Sequence, residues 1–260
     1  MIPVSTVELV VHPTCFSSYR LLKTLSEKGL LNRLRILVAD KPGVGFEKKA
    51  WSVPWLLVNG EPAAADPLEP WEVEAVLEGR GLQPPGDLAE SFMTSVMHSS
   101  YASSLVVLWG SLEPVLDKGF AKAVYRAPLT HVDVDKALEK VREKAGELYD
   151  EWVDKLRRTL AVAFTRELYW FSNRKLTADS LVQASRPEVI GAWLLAKASI
   201  GRVGLPPNPL GAGAVNAGEI SSFISKGAKG ILNKVENEAE ALFNDKEYWL
   251  MISRLKSGSW

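Results

Sequence analysis

Hydrophobic positions fall into two regimes along this chain. Over the first eighty residues they come in short runs separated by turn formers; beyond residue 86 they recur every three or four positions. Val7, Leu9, Val10 and Val11 form an apolar run ending at His12-Pro13, which reads as a strand over 7–12. Leu21, Leu22 and Leu25 give one apolar face to a helix over 16–28, stopped by Gly29. Leu34-Arg35-Ile36-Leu37-Val38-Ala39 reads as a second strand, broken by Asp40-Lys41-Pro42-Gly43. A short, weakly patterned segment over 46–51 follows. Trp55-Leu56-Leu57-Val58 reads as a third strand, turned by the hairpin dipeptide Asn59-Gly60 into a return strand over 61–65. A helix over 71–78, with Pro70 near its start and Gly79 at its end, closes the series. The order is β-α-β-β-β-α.

The second regime is helical. Gly79 to Gly86 is rich in Gly and Pro, so 81–86 reads as a linker between an α/β domain over 1–80 and a larger all-α domain over 87–260. Asp87 is placed to cap a long helix reaching about Trp109. Val134, Leu138, Val141, Ala145, Leu148, Trp152 and Leu156 mark one face of a single long amphipathic helix. Its solvated face carries the acid-first pairs Glu151/Lys155 and Asp154/Arg158. Gly204 to Gly213 reads as a long surface loop, followed by helices over 217–243 and 246–255. No internal repeat is present.

Composition narrows the function classes. The chain has 260 residues, 47% of them hydrophobic, with 31 basic and 31 acidic side chains. Such a balance offers no basic excess for nucleic acid or an anionic membrane. The apolar windows at 105–109 and 192–196 are too short to span a bilayer. One cysteine excludes an internal disulfide and points to a reducing compartment. The start, Met1-Ile2-Pro3-Val4-Ser5, lacks the basic and apolar regions of a signal peptide. The expectation is a soluble, cytoplasmic protein.

That cysteine, Cys15, lies between the first strand and the first helix. Unpaired N–H groups and the helix dipole favour an anion there, and a thiolate benefits. A small buried hydrophobe is the competing reading. Thr14 and Ser17 carry hydroxyls within reach of the sulfur, although Thr14 also suits a helix cap. His12 could pair with the thiolate or serve the fold. Arg20 could raise the local potential or simply face solvent. Zinc normally needs three or four ligands, and neither His98 nor His131 has a neighbour in sequence, so no metal is expected. P-loop, dinucleotide and serine-triad motifs are absent from the chain.

Three segments together resemble the thioredoxin fold as it occurs in glutaredoxins and glutathione S-transferases. Cys15-Phe16-Ser17-Ser18 is similar to the C-x-x-S variant of the redox motif. Ser52-Val53-Pro54-Trp55-Leu56 is similar to the cis-proline segment. Val58-Asn59-Gly60-Glu61-Pro62, followed by Asp66 and a helix, is similar to the hairpin-then-helix ending. The resemblance covers about residues 5–80 and, in layout only, the helical remainder. Leu176-Thr177-Ala178-Asp179 partly matches the family's capping segment, with Leu176 at the capping position.

The resemblance implies a thioredoxin-like N-terminal domain and a helical C-terminal domain. It implies a cis bond at Val53-Pro54 and a Val53 backbone that pairs with the cysteinyl part of a bound thiol, like an added strand. Cys15 would be the nucleophile, with Ser18 beside it in the motif or simply satisfying a backbone N–H. Ser18 cannot resolve a mixed disulfide, so Cys15 would need an outside thiol such as glutathione, or a protein disulfide. Asp66 would hold the thiol's ammonium, or else cap a turn or helix. Met97 and Tyr101, with Met93, lie four apart and would share a face lining an acceptor pocket, or belong to the core. Tyr169-Trp170-Phe171 carries the same ambiguity. No cofactor is implied beyond that thiol, and a homodimer is possible because related transferases often dimerise. Pro67 departs from the family's serine, and the helical region is longer than usual. Two functions therefore compete: a thiol-dependent transferase or monothiol oxidoreductase, and a non-catalytic scaffold whose helical domain binds a protein.

Overall fold

The computed structural model describes residues 6–40, 43–199 and 210–257. Four strands and three helices come first: β1 Val7–Val11, α1 Phe16–Glu27, β2 Arg35–Val38, α2 Val44–Glu47, β3 Trp55–Val58, β4 Glu61–Ala65 and α3 Pro70–Leu77. Helices α4 Leu88–His98, α5 Ser100–Trp109, α6 Lys118–Val124, α7 Val134–Glu143, α8 Ala145–Phe171, α9 Ala178–Ala184, α10 Pro187–Ala198, α11 Leu210–Phe243 and α12 Lys246–Ser257 complete the chain. The class is mixed α/β, with one small sheet and a mostly helical remainder.

The strands form one sheet in the order β2-β1-β3-β4. β1 and β2 are parallel across α1, whereas β1–β3 and β3–β4 are antiparallel. Asn59 and Gly60 adopt φ values of 54° and 81°, which give the tight turn between β3 and β4 the twist that the strands require. Asn59 also ties the turn to the chain start: its N–H donates to Thr6 O at 2.9 Å, and its Oδ1 accepts from Thr6 N at 3.2 Å.

By compactness the described residues fall into two units. Among the described residues, those within 1–95, 116–143 and 242–260 form one unit, and those within 96–115 and 144–241 form the other. In the first unit, Val7, Leu9, Val11, Leu56 and Val58 pack with Leu21, Leu22 and Leu25 of α1 and Val73 and Val76 of α3. Tyr248, Met251 and Ile252 of α12 lie in the same core. Thus the last helix completes the core begun by the first strand. α12 packs along β2, and α6 packs on β4. Glu8 is buried on β1 and answered by Arg35 and Lys48, each at 2.9 Å.

In the second unit, α5 lies against α8 and α10. α8 buries Leu148, Trp152, Leu156, Leu160, Phe164 and Tyr169 on one side. Asn216 joins three segments there, accepting from Arg157 Nε at 2.7 Å and donating to Val107 O at 2.7 Å.

Several sequence expectations need correction. The helix expected from Asp87 to about Trp109 is two helices: Asp87 does cap α4, accepting from Ala89 N at 2.8 Å, but buried Ser99 starts α5 by accepting from Ala102 N at 3.0 Å. The helix expected through Val134 and Leu156 is also two, because Lys144 leaves helical geometry at φ −102°, ψ 10°. Asp154 pairs with Arg157 at 2.6 Å, while Arg158 lies over the Phe223 ring. Thr177, not Leu176, caps α9, and Ser180 closes the capping box. Of the loop expected over 204–213, residues 210–213 are the start of α11; residues 204–209 lie outside the described residues, as does the expected break at Lys41-Pro42. The start at Met1–Ser5 lies outside them too. Among the described residues, no helix is long and apolar enough to cross a membrane.

Candidate active site around Cys15

The link from β1 to α1 is a tight turn in which Cys15 N–H donates to His12 O at 3.1 Å. Pro13 removes one donor from this turn. Cys15 is the N-cap of α1, extended at φ −83°, ψ 122°, and its carbonyl accepts the first helical hydrogen bond, from Tyr19 N at 2.9 Å. The thiol therefore stands where the first-turn N–H groups of α1 converge. It is half-buried. Its Sγ donates to Val53 O at 3.3 Å. The Val53-Pro54 bond is cis, and the Val53 carbonyl meets the thiol across 38 positions of sequence. Cys15, Val53 and Pro54 are thus brought together, with Pro54 buried and Val53 half-buried.

The hydroxyls of Ser18 and Thr14 have structural partners. Ser18 is fully buried, and its Oγ accepts from His12 N at 3.3 Å, closing the turn from inside. Thr14 does not cap α1; its N–H donates to His12 Nδ1 at 3.3 Å, and its Oγ1 lies 3.1 Å from the same nitrogen. With Nδ1 accepting, the ring proton belongs on Nε2. Arg20 is exposed.

Asp66 is 5% exposed, and its N–H donates to Ser52 Oγ at 3.2 Å. It does not cap α3, whose N-cap is Glu69, boxed with Glu72. Asp66-Pro67 is a second cis bond, which no sequence signal had indicated. Pro67 O accepts from Arg126 Nη2 at 2.6 Å, so this turn is held from α6 onward.

The expected acceptor stripe is not one face of one helix. Met93 and Met97 lie on α4 and Tyr101 on α5, with the break at Ser99 between them. Met93 is fully buried core, while Met97 and Tyr101 are half-buried. In the other aromatic cluster, Tyr169 is buried and Phe171 is 89% exposed, so these side chains face opposite ways. Among the described residues, no three His, Cys, Asp or Glu side chains gather as a metal site would require.

Sequence reasoning missed the contribution of the chain end. Tyr248 Oη donates to Pro13 O at 2.9 Å, two residues before the thiol. Asp245 Oδ2 accepts from Tyr19 Oη at 3.0 Å and from Lys23 Nζ at 2.7 Å, both on α1. The bond from Lys23 holds the Asp245 carboxyl below its usual range, and the same bond raises Lys23 to about 12. An Asp before a helical pattern is a legible cap, and Asp245 Oδ1 does accept from Tyr248 N at 3.0 Å. Nothing in the local sequence marks Tyr248. Comparison with family models, with curated proteins and with solved structures finds no match to this chain.

Proposed function

We propose that the chain is a thiol-dependent enzyme of glutathione S-transferase-like build, with a thioredoxin-like β-α-β-β-β-α region and Cys15 as nucleophile. The observation that carries this reading is the meeting of Cys15 Sγ, at the start of α1, with Val53 O at 3.3 Å. A thiol at a helix start gains from the oriented N–H groups when it ionises. Val53 lies directly before β3, and a backbone next to a strand is the kind of place where a peptide thiol pairs.

The reaction is monothiol exchange. The Cys15 thiolate attacks one sulfur of a mixed disulfide, a new S–S bond forms to Cys15, and the other sulfur leaves as a thiolate. A low-molecular-weight thiol then attacks the enzyme-bound mixed disulfide. Its sulfur joins the transferred group, and the Cys15 thiolate departs. The net change is one thiol exchanged for another, so no outside oxidant is needed. Glutathione is the first thiol to try, although Pro67 and the enclosure of Asp66 leave its γ-glutamyl end without the family's usual serine. Such chemistry belongs in a reducing compartment, which makes the cytoplasm the proposed location.

The test is turnover of a glutathionylated peptide with glutathione as the reductant. Wild type exceeding glutathione alone, and Cys15→Ser falling to that background, is the expected result. Wild type at background overturns the enzyme reading. A second reading, a scaffold with a helical protein-binding region, draws on Pro67 and on the inward-turned Ser18 and Asp66. It predicts slow labelling of Cys15 by iodoacetamide in the folded protein and no protection by glutathione.

A further inference from the structure

Cys15 is held from both sides by one distant helix. Before it, Pro13 O accepts from Tyr248 Oη at 2.9 Å. After it, the Tyr19 ring meets the Tyr248 ring edge-on, with centroids 4.9 Å apart. Asp245 joins the two holds: Oδ1 takes the Tyr248 N–H, and Oδ2 takes Tyr19 Oη and Lys23 Nζ. Tyr248 is 2% exposed, 233 positions beyond the thiol. We propose that α12 is a working part of the thiol site, with Tyr248 as a positioning residue that holds the Pro13–Cys15 turn and thereby sets Sγ against Val53.

The hydroxyl is the informative atom. A phenylalanine would fill the same core space against Tyr19 and Trp249. The oxygen adds a buried polar group, which is costly unless it has a partner. Its partner is a carbonyl of the turn that carries the thiol. Burial first, and then the nearby Cys15 charge, holds the phenol above its ordinary range, so it remains a donor at working pH. Asp245 fixes where α12 begins and therefore where Tyr248 stands. The inference rests on the thiol-exchange reading, because positioning matters only if Cys15 reacts with a bound partner.

The experiment is steady-state turnover of the glutathionylated peptide by full-length wild type and Tyr248→Phe. Loss of one buried hydrogen bond at the turn predicts kcat down by about tenfold, KM within about twofold and iodoacetamide labelling within about threefold. A lower kcat at unchanged KM separates positioning from loss of folded enzyme only if the thermal midpoint is also measured; a variant that loses kcat in proportion to its folded fraction overturns the proposal. Equal kcat in an active wild type overturns it and leaves the exchange reading standing. No turnover by wild type overturns both. If Tyr248→Phe does not fold, Asp245→Asn takes its place, since asparagine keeps the helix cap while weakening the hold on Tyr19 and Lys23. A lowered kcat is expected there too, and an unchanged one overturns the proposal.

Discussion

Glu72 and Arg126 meet in an almost enclosed ion pair, with Arg126 Nε 2.9 Å from Glu72 Oε1 and the side chains 12% and 9% exposed. The same guanidinium donates to Pro67 O and to Val124 O, and the same carboxylate caps α3 through Glu69 N. Arg126 adopts φ 53°, a left-handed conformation that a non-glycine residue holds only where its surroundings demand it. The bonds from Arg126 to Glu72 and to Pro67 O therefore fasten the turn after β4 to the end of α6.

Arg126→Met strips these partners and leaves the Glu72 charge enclosed. Removing one member of a buried pair costs about 3–5 kcal/mol. Urea unfolding of the variant should show a loss in that range, and a loss under about 1 kcal/mol would mean that the pair is far better solvated than its enclosure implies.

Ser18→Ala removes the acceptor for the His12 N–H. Loss of a buried polar partner costs about 1–3 kcal/mol. Chemical denaturation should report that loss, while iodoacetamide still labels Cys15 at close to the wild-type rate. A collapse of labelling with stability intact would instead make Ser18 part of the chemistry.

The Asp245 hold is pH-dependent in a definite direction. Its carboxyl titrates below the usual range because of Lys23, so its contribution is complete above the unfolded value of about 3.9 and is lost as pH falls through the lower folded value. Lys23 is raised to about 12, so its side of the bond is complete below about 10.4 and is lost as pH rises through about 12. Stability of wild type and Asp245→Asn should differ near neutrality and converge as pH falls below that lowered folded value. Parallel curves across that window would contradict the assignment.

In the second unit, Gly110 ends α5 at φ 67°, and an added Cβ would lie 2.7 Å from the Ala212 Cβ. Gly110→Ala therefore meets both a disfavoured conformation and a steric clash. A loss of about 1–3 kcal/mol is expected, measured by thermal or urea unfolding. Ala212→Gly in the same background should recover part of it by opening the contact.

How much of this was legible depends on the range of each interaction. Asn59-Gly60, Gly29 and Gly79 terminate their elements as their backbone freedom dictates, and the strands over 55–58 and 61–65 stand where their apolar runs place them. Ser99 and Lys144 were harder. An apolar period continues across both breaks, because the helix on either side of each break buries a face of its own. The cap at Ser99 is local, but serine inside a good periodic pattern is an ordinary helix residue until its N–H partner is seen.

The candidate site divides along the same line. Cys15 between a strand and a helix, and Val53-Pro54 before the next strand, follow from near neighbours in the chain, so order and spacing alone brought them forward. Tyr248 on Pro13, Asp245 on Tyr19 and Arg126 on Pro67 join positions 235, 226 and 59 apart. A hydroxyl or guanidinium in the sequence states what it can donate, never to whom. Its acceptor is chosen by the packing of whole elements, here α12 against β2 and α6 against β4. Local order therefore settled which residues form the thiol turn, and the three-dimensional packing settled what holds that turn in place.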